Sequence, residues 1–444
     1  MKFCDFESDY ELPNNWVWCN LGLLFNHNTG KALNSANSEG KTLTYITTSN
    51  VYWNRLELDD LKSMPFTDSE IEKCTIKKGD LLVCEGGDIG RAAIWNFDDE
   101  IRIQNHLHRL RAYDDIQTAF YYYVLYAFKL SKKINGNGIG LQGLSSNALH
   151  NIIVPVPPIE EQKNIVMLIE KLMLSIDNIE SHKNILSACM DNTKAKILDL
   201  AIRGKLVPQN PNDEPASVLL ERIRAEKEER IKQGKIKRNK NESVIFKGSD
   251  NSYYEKVGST TENIDDQIPF DLPQGWIWCR GYSCFEGMES TKPQGKFFDY
   301  IDIDAIDNQN HCIKGTKHLP VVKAPSRASR AVRNGSVLFS LVRPYLENIA
   351  FVDKKHCNCI ASTGFYVCNS NGLLLPKFMY YLMVSGYVVN GLNQFMKGDN
   401  SPSISKDNIE NWLYPVPPIK EQGNICYKLK VTFSAIEHIE KRLN

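Results

Sequence analysis

The chain has 444 residues, of which 42% are hydrophobic, so its length allows two to four globular domains. Its 53 basic and 53 acidic side chains cancel, so the overall positive charge of many nucleic-acid-binding proteins is missing. We expect no signal peptide and no membrane span, because the N-terminus lacks a basic segment followed by an apolar one and no long apolar run occurs. The 12 cysteines have no regular spacing and predict reduced thiols in a cytoplasmic protein.

The chain repeats two blocks of sequence with the same shift. The first block reads LPNNWVWC at residues 12–19 and returns 260 residues later as LPQGWIWC at 272–279. The second reads VPVPPIEEQKNI at 154–165 and returns, again 260 residues later, as YPVPPIKEQGNI at 414–425. Two blocks that share one offset are difficult to obtain by chance, so the sequence indicates an internal duplication.

Between these blocks the two halves diverge, although both contain β-strand signals. Residues 42–53 and 297–306 are rich in β-branched and aromatic residues, and a glycine opens a short apolar run at 79–83 and at 335–339. Each half is therefore expected to be an irregular sheet domain with a short helix near its end. The two short helices are predicted at residues 117–131 and 374–390.

A heptad pattern follows each Pro-Val-Pro-Pro segment. Mostly apolar residues step by four and three from Ile165 to Leu200, and again from Ile425 to Leu443; the exceptions are Lys183, Thr193 and Thr432. Such spacing favours a coiled-coil seam, and an ordinary amphipathic helix on a globular body is the alternative. We expect an antiparallel pair, with Ile169, Leu172 and Ile176 facing Leu429, Thr432 and Ile436. The residues assigned to this interface are Ile165, Ile169, Leu172, Ile176, Ile425, Leu429, Ile436 and Ile439.

Motifs for nucleotide binding and catalysis are not supported. The GIGLQG segment at 138–143 follows a helix-like stretch and precedes a strand, which is the reverse of a dinucleotide site, so we interpret it as a loop. The near P-loop at 35–42 lacks its first glycine. No spacing of carboxylates, histidines or cysteines defines a catalytic or metal site. The sequence therefore predicts a protein that is not an enzyme.

Local clusters of basic residues point to DNA. Residues 102–111 include no acidic side chain, and residues 323–355 hold seven basic side chains against two acidic ones. Arginine can donate two hydrogen bonds to guanine, and asparagine and glutamine can pair with adenine. For any single residue the alternative is a surface salt bridge. The candidate DNA-binding residues are Arg91, Arg102, Gln104, Asn105, His106, Arg109, Lys323, Arg327, Arg330 and Arg343.

The duplicated blocks, the Pro-Val-Pro-Pro hinges and the heptads together resemble the specificity subunit of type I restriction–modification systems. The resemblance implies two target-recognition domains, each reading half of a bipartite double-stranded DNA sequence, and helices that dock methyltransferase subunits. It also implies that S-adenosylmethionine, ATP and Mg²⁺ belong to methyltransferase and motor-nuclease partners. The second heptad stops about half-way along the first, which suggests a shortened or recombined form. A DNA-binding module outside restriction and a protein–protein scaffold are the alternatives.

The predicted fold class is α+β, with two mostly β target-recognition domains joined by long helices that pair as an antiparallel coiled coil. Residues 215–234 are predicted to form a charged helix, and the basic run at 235–240 is interpreted as linker. The predicted boundaries are 1–157 for the first recognition domain, 158–204 for the central helical region, 205–268 for the charged helix and linker, 269–417 for the second recognition domain and 418–444 for the C-terminal helical region.

Overall fold

The computed structural model describes residues 11–33, 39–134, 143–236 and 242–443. The chain divides into two compact units, Met1–Ser181 and His182–Asn444. Helices and strands are mixed in both units, and the α+β prediction is confirmed. The loop prediction at 138–143 and the basic run at 235–240 lie largely outside the described residues.

The first unit consists mainly of two four-stranded sheets. Its strands are β1 Val17–Asn20, β2 Phe25–Thr29, β3 Lys41–Ile46, β4 Val51–Tyr52, β5 Arg55–Leu56, β6 Lys62–Phe66, β7 Thr75–Ile76, β8 Leu81–Cys84, β9 Ala92–Ile94, β10 Ile101–Ile103, β11 Leu107–Ala112 and β12 Ile153–Val156. Its helices are α1 Asp68–Cys74, α2 Thr118–Leu130, α3 Ser146–His150 and α4 Ile159–Ile202, which continues into the second unit. The sheet orders are β6-β3-β10-β7 and β2-β11-β8-β9, and β1 pairs with β12.

The apolar run predicted at 79–83 forms β8, and it is buried on both faces. Leu81 and Val83 pack with α2 in one core cluster, whereas Leu82 and Cys84 belong to the cluster beneath the other sheet. A strand covered on both faces has no solvent side that would need alternating polar residues. This explains why the sequence reads as an uninterrupted apolar run.

The second unit repeats this plan and adds elements before it. Its strands are β13 Ser243–Lys247, β14 Tyr253–Val257, β15 Thr260–Asn263, β16 Ile277–Arg280, β17 Phe297–Ile301, β18 Ile306–Asp307, β19 Cys312–Ile313, β20 Lys317–Pro320, β21 Ala328–Ala331, β22 Val337–Ser340, β23 Ile349–Phe351, β24 Ile360–Ser362, β25 Phe365–Cys368 and β26 Leu413–Val416. Its helices are α5 Ala216–Lys232, α6 Gly281–Cys284, α7 Pro376–Met383, α8 Gly386–Asn393, α9 Lys406–Asn411 and α10 Ile419–Leu443. The sheet orders are β20-β17-β24-β21, β23-β22-β25 and β13-β14-β15, and β16 pairs with β26.

Sheet topology is duplicated even where the sequence is not. The sheet β6-β3-β10-β7 has a parallel β3–β10 pair at its centre, and β20-β17-β24-β21 has a parallel β17–β24 pair in the same place. The two repeated sequence blocks are partners in each half, because Val17 pairs with Val156 and Ile277 pairs with Val416. Both strands of this pair are thus displaced by the same number of residues between the halves.

The glutamine of each hinge explains why that motif recurs. The side-chain amide of Gln162 donates to the carbonyl of Pro157, and its oxygen accepts from the backbone N–H of Gln117 at the start of α2. Gln422 donates in the same way to Pro417 and accepts from the N–H of Leu375 at the start of α7. In both halves this buried amide ties the start of a long helix to the start of a helix of the sheet domain, α2 or α7.

Two of the predicted elements need correction. The helix predicted at 374–390 is two helices, because Ser385 accepts from the N–H of Val388 and caps a new helix, α8. The segment 205–268 is not only a charged helix and linker, since it also forms the sheet β13-β14-β15. Ile245 and Ile264 from this segment are buried with Trp278, which makes the sheet part of the second unit's core.

Within the second unit, α10 runs antiparallel to the end of α4, but the predicted register is wrong. The Nζ of Lys194 lies 2.6 Å from Glu440, and Gln209 donates to Glu421 at 3.2 Å. Ile425 and Leu429 are buried in the same core cluster as α7, and this packing determines where α10 begins. Leu172 and Ile176, which were expected in the seam, are 54% and 55% exposed.

Candidate nucleic-acid interface

In the first half, one of the three candidate arginines lies inside the domain. Arg109 is on β11 and is only 3% exposed. Its guanidinium donates to the carbonyls of Lys73 and Thr75 at the end of α1, and to the side-chain oxygen of Asn26. A cation at a helix C-terminus is favourable, and it satisfies carbonyls that the helix leaves free. Arg109 therefore has a structural role, and the prediction that it contacts DNA is wrong.

Two other arginines of the first half are partly held by the domain. Arg91 donates to the carbonyl of Thr48 at 2.6 Å, and its guanidinium lies 4.9 Å from the ring centre of Tyr52. Arg102 is half-buried on β10 between the buried residues Ile101 and Ile103. The Nε atoms of Arg91 and Arg102 are buried without a hydrogen-bond partner among the described residues.

The turn between β10 and β11 brings three candidate polar side chains together. Gln104 and Asn105 are half-buried, and His106 is exposed, with its Nδ1 atom 3.4 Å from a carboxylate oxygen of Glu85. Backbone hydrogen bonds connect this turn to Lys31, because Asn105 donates to the carbonyl of Lys31. The turn is the part of the predicted first-half cluster that a large polar ligand can reach.

A cluster of three histidines in the first half was not predicted from the sequence. The Nε2 atom of His27 lies 2.9 Å from Nδ1 of His108, and the rings of His27 and His150 are 4.7 Å apart. The pKa of His27 is lowered to about 4 by burial, with further contributions from His108, His150 and Arg109. Burial also lowers the pKa of His108. At neutral pH, this cluster is therefore uncharged at His27 and His108.

The histidine cluster predicts a pH dependence of stability. His27 titrates near 6.5 in an unfolded chain and near 4 when folded, so the unfolded state binds the proton more readily. We expect the free energy of unfolding to fall as the pH is lowered through this interval. Urea unfolding at several pH values should show a smaller fall for His27→Gln, and no change for the exposed control His182→Gln. Equal pH dependence in wild type and His27→Gln would contradict the assignment.

In the second half, the candidate cations lie on two neighbouring stretches. Lys323 and Arg327 are exposed and precede β21, and Arg330 is half-buried within it. The backbone carbonyl of Arg327 accepts from Thr363, and the next residue, Gly364, accepts from the N–H of Leu341. The stretch carrying Arg327 and the stretch that leads to Arg343 therefore flank the same turn between β24 and β25.

Arg343 follows β22 and has an unusual backbone conformation. Its φ and ψ angles are 48° and 56°, in the left-handed region. The side chain is exposed and donates to the carbonyl of Asn400 at 3.0 Å. Arg343 forms no salt bridge with Glu347 or Asp353 among the described residues. Such a salt bridge would have indicated a purely structural role.

Two further cations extend this surface, and the sequence reasoning missed both. The carbonyl of Lys296 accepts from Val321 in the turn that ends at Lys323, and Thr291, next to Lys292, donates to the carbonyl of Ser329. We call the exposed side chains Lys292, Lys296, Lys323 and Arg327 the basic edge. None of the four has an ion pair within the described part of the chain. The two lysines beside the Pro-Gln-Gly turn at 293–295 were the available sequence signal.

An aromatic contact lies beside the basic edge. The rings of Phe297 and His318 stack at 5.0 Å with an interplanar angle of 14°, and Phe297 is 55% exposed. These rings share the outer face of the sheet, because Phe298 and Tyr300 point into the core cluster on the other side. Cations next to an exposed aromatic pair can engage both phosphates and bases.

Other kinds of site find no support in residues 11–33, 39–134, 143–236 and 242–443. No group of three or more histidine, cysteine, aspartate or glutamate side chains there could hold a metal ion. None of the helices described is both long and apolar enough to cross a membrane.

Comparison with known proteins finds a partial match to one family. Residues 13–187 match the model described as the type I restriction modification DNA specificity domain. The specificity subunit of the type I restriction enzyme EcoAI from Escherichia coli is 26% identical over 326 residues, and that of EcoEI, also from Escherichia coli, is 24% identical over 361 residues. The chain is therefore similar to the specificity subunits of type I restriction enzymes. These alignments cover 62% and 68% of this chain.

Length and fold complete the comparison with these relatives. The chain spans about half the length of the curated relatives it matches, 52% of the EcoAI subunit and 57% of the EcoEI subunit. One solved structure comes from work on complex assembly and conformational transition of the type I R-M system. Its alignment covers 98% of this chain and 94% of the chain in that structure. The TM-score is 0.60 at 16% identity, which shows a shared fold.

Proposed function

We propose that this chain is a specificity subunit, the non-catalytic DNA-recognition component of a type I restriction–modification complex. Each half reads one part of a bipartite double-stranded DNA target. The helices α4 and α10 dock methyltransferase subunits, and a motor-nuclease subunit joins through the complex. S-adenosylmethionine, ATP and Mg²⁺ belong to those partners rather than to this chain.

One observation carries this proposal: the chain contains a four-stranded sheet of the same topology twice, with different side chains at the surface. The frame of each copy is built from the two repeated blocks, whose strands pair in the same register. The interiors share the order of strands but differ in their exposed cations, since the basic edge belongs to the second half alone. Two copies of one scaffold with different surfaces suit the reading of two different sequences.

The electrostatics of the second half fit a DNA partner. The chain has no net charge, so its attraction to DNA must come from local groups. The four side chains of the basic edge are exposed and unpaired within the described residues, which leaves their charges available to phosphates. On this basis, the basic edge positions the subunit on the DNA backbone, and loops beside it read bases.

A domain exchange tests the division of labour. Replacing residues 20–150 by those of a related specificity subunit should change one half of the methylated sequence and leave the other half intact. Replacing residues 280–410 should have the opposite effect. The measurement is the methylated motif in the genome of cells that express each chimera with its methyltransferase.

Either exchange can also refute the proposal. A chimera that alters both halves of the motif together would rule out two independent readers. A chain that neither copurifies with a methyltransferase nor changes the methylated motif would indicate a function outside modification. The wild-type chain, expressed in the same cells, is the matched control.

A further inference from the structure

The connection between β22 and β23 is a strained turn. Arg343 and Glu347 have φ angles of 48° and 53°, in a region that residues with a side chain rarely occupy. His311, which contacts this turn, also has a positive φ, of 48°. Three of the six non-glycine residues with positive φ in the described chain are therefore gathered here. Strain concentrated in one place persists only where the surroundings enforce it.

The surroundings of this turn do enforce it, from two sides. On one side, Asn308 donates to the carbonyl of Leu346 at 2.8 Å, and Nδ1 of His311 donates to the carbonyl of Glu347 at 3.2 Å. On the other side, the backbone N–H of Arg343 donates to the carbonyl of Pro402 at 2.7 Å. Both ends of the turn are thus clamped to neighbouring loops, which holds its tip in one conformation.

The clamped turn holds two apolar side chains in solvent. Tyr345 is 46% exposed and Leu346 is 40% exposed, while Pro344 before them is buried and anchors the turn. The exposed guanidinium of Arg343 lies immediately before this pair in the chain. Exposing apolar groups to water is unfavourable, so a rigid and exposed apolar pair beside a cation indicates a surface that binds a partner.

The first half shows that the strain is avoidable. There the connection between β8 and β9 occupies the same place in the fold, and its left-handed positions are Gly87 and Gly90, with φ angles of 73° and 80°. Glycine adopts this conformation without strain. The second half instead has Arg343 and Glu347 at its left-handed positions. Both residues have side chains, so this backbone conformation is strained where glycine would relieve it.

We propose that Tyr345 and Leu346 form an apolar wedge that enters a base step in the half-site read by the second half. Arg343 contacts the phosphate next to that step. This inference rests on the proposed function, because it requires the second half to bind DNA. Apolar side chains on DNA-binding proteins unstack base steps in this way, and a rigid tip loses little conformational freedom when it does so.

A fluorescence experiment on the full chain with its methyltransferase tests the wedge. Duplexes that contain the methylated motif carry 2-aminopurine at each position of the second half-site in turn. Wild type should raise the fluorescence at one step, because an unstacked 2-aminopurine is brighter. The double variant Tyr345→Ala/Leu346→Ala should abolish that rise and weaken binding roughly 5- to 150-fold, the range expected from losing one base-stacking contact.

Matched variants separate stacking from general effects. Tyr345→Phe keeps the ring and should retain the fluorescence rise. Tyr113→Ala removes an exposed tyrosine from the first half and should behave as wild type. Urea unfolding of the double variant should match wild type, because both side chains are exposed.

The possible outcomes distinguish the wedge from the proposed function. Tight binding of wild type with unchanged fluorescence at every position would overturn the wedge alone, as would unchanged affinity of the double variant. If wild type and all variants fail to bind the motif, the proposed function fails and the wedge fails with it.

Discussion

Replacing Gln422 by leucine is expected to lower the free energy of unfolding by roughly 3–5 kcal/mol, because several buried groups lose their partners at once. The side chain is fully buried. Its amide nitrogen donates to the carbonyls of Leu373 and Pro417, and its oxygen accepts from the N–H of Leu375 at 2.7 Å. Leucine has a similar volume and can make none of these bonds. The measurement is urea unfolding followed by tryptophan fluorescence.

The control for this variant is another glutamine of the second unit. Gln394 is exposed at the end of α8, and Gln394→Leu should change the free energy of unfolding by less than about 0.5 kcal/mol. If Gln422→Leu unfolds with the same urea midpoint as wild type, the hinge glutamine does not hold α10 to the sheet domain. The recurrence of this residue in both hinges would then need another explanation.

Replacing Arg109 by methionine is expected to destabilise the first unit by roughly 1–3 kcal/mol, because a buried carbonyl loses its hydrogen-bond donor. The substitution removes the donor to the carbonyl of Lys73. The carbonyl of Thr75 keeps a bond from Arg111, and the side-chain oxygen of Asn26 keeps one from Asn28. Methionine preserves much of the apolar stem, so the effect isolates the guanidinium. Urea unfolding of the two forms measures it.

The matched control for Arg109 is an arginine of the basic edge. Arg327→Met should leave stability unchanged, because its side chain is exposed and has no ion pair in the described part of the chain. If Arg327 contacts a phosphate, its loss should also reduce the salt dependence of DNA binding by about one unit. If the Arg109→Met protein is as stable as wild type but binds DNA more weakly, the result would show that Arg109 belongs to the DNA-binding surface.

Local patterns in the sequence were sufficient for the duplication and for several single elements of each half. The repeated blocks predicted the duplication, and in the structure their strands are partners. Glycine-bounded apolar runs predicted β8 and β22, and the first predicted short helix became α2. These features depend on residues close together in the chain, where periodicity and turn chemistry act directly.

The register of the long helices needed the tertiary structure. A heptad shows which face of a helix is apolar, but it does not show whether that face meets another helix or a sheet domain. In α10 the first apolar positions, Ile425 and Leu429, are buried in the core beside α7. That packing places Glu440 opposite Lys194, and not the middle of α10 opposite Leu172.

The sequence by itself determined that this protein is a duplicated α+β chain that resembles type I specificity subunits, with local basic clusters in place of a net charge. Only the tertiary structure decided which cations are available. Arg109 and Arg327 are the same residue type in similar basic stretches, yet one is enclosed by backbone carbonyls and the other is exposed. The reason is physical: exposure and strain depend on contacts between residues far apart in sequence, such as Arg343 with Asn400, and no local pattern encodes them.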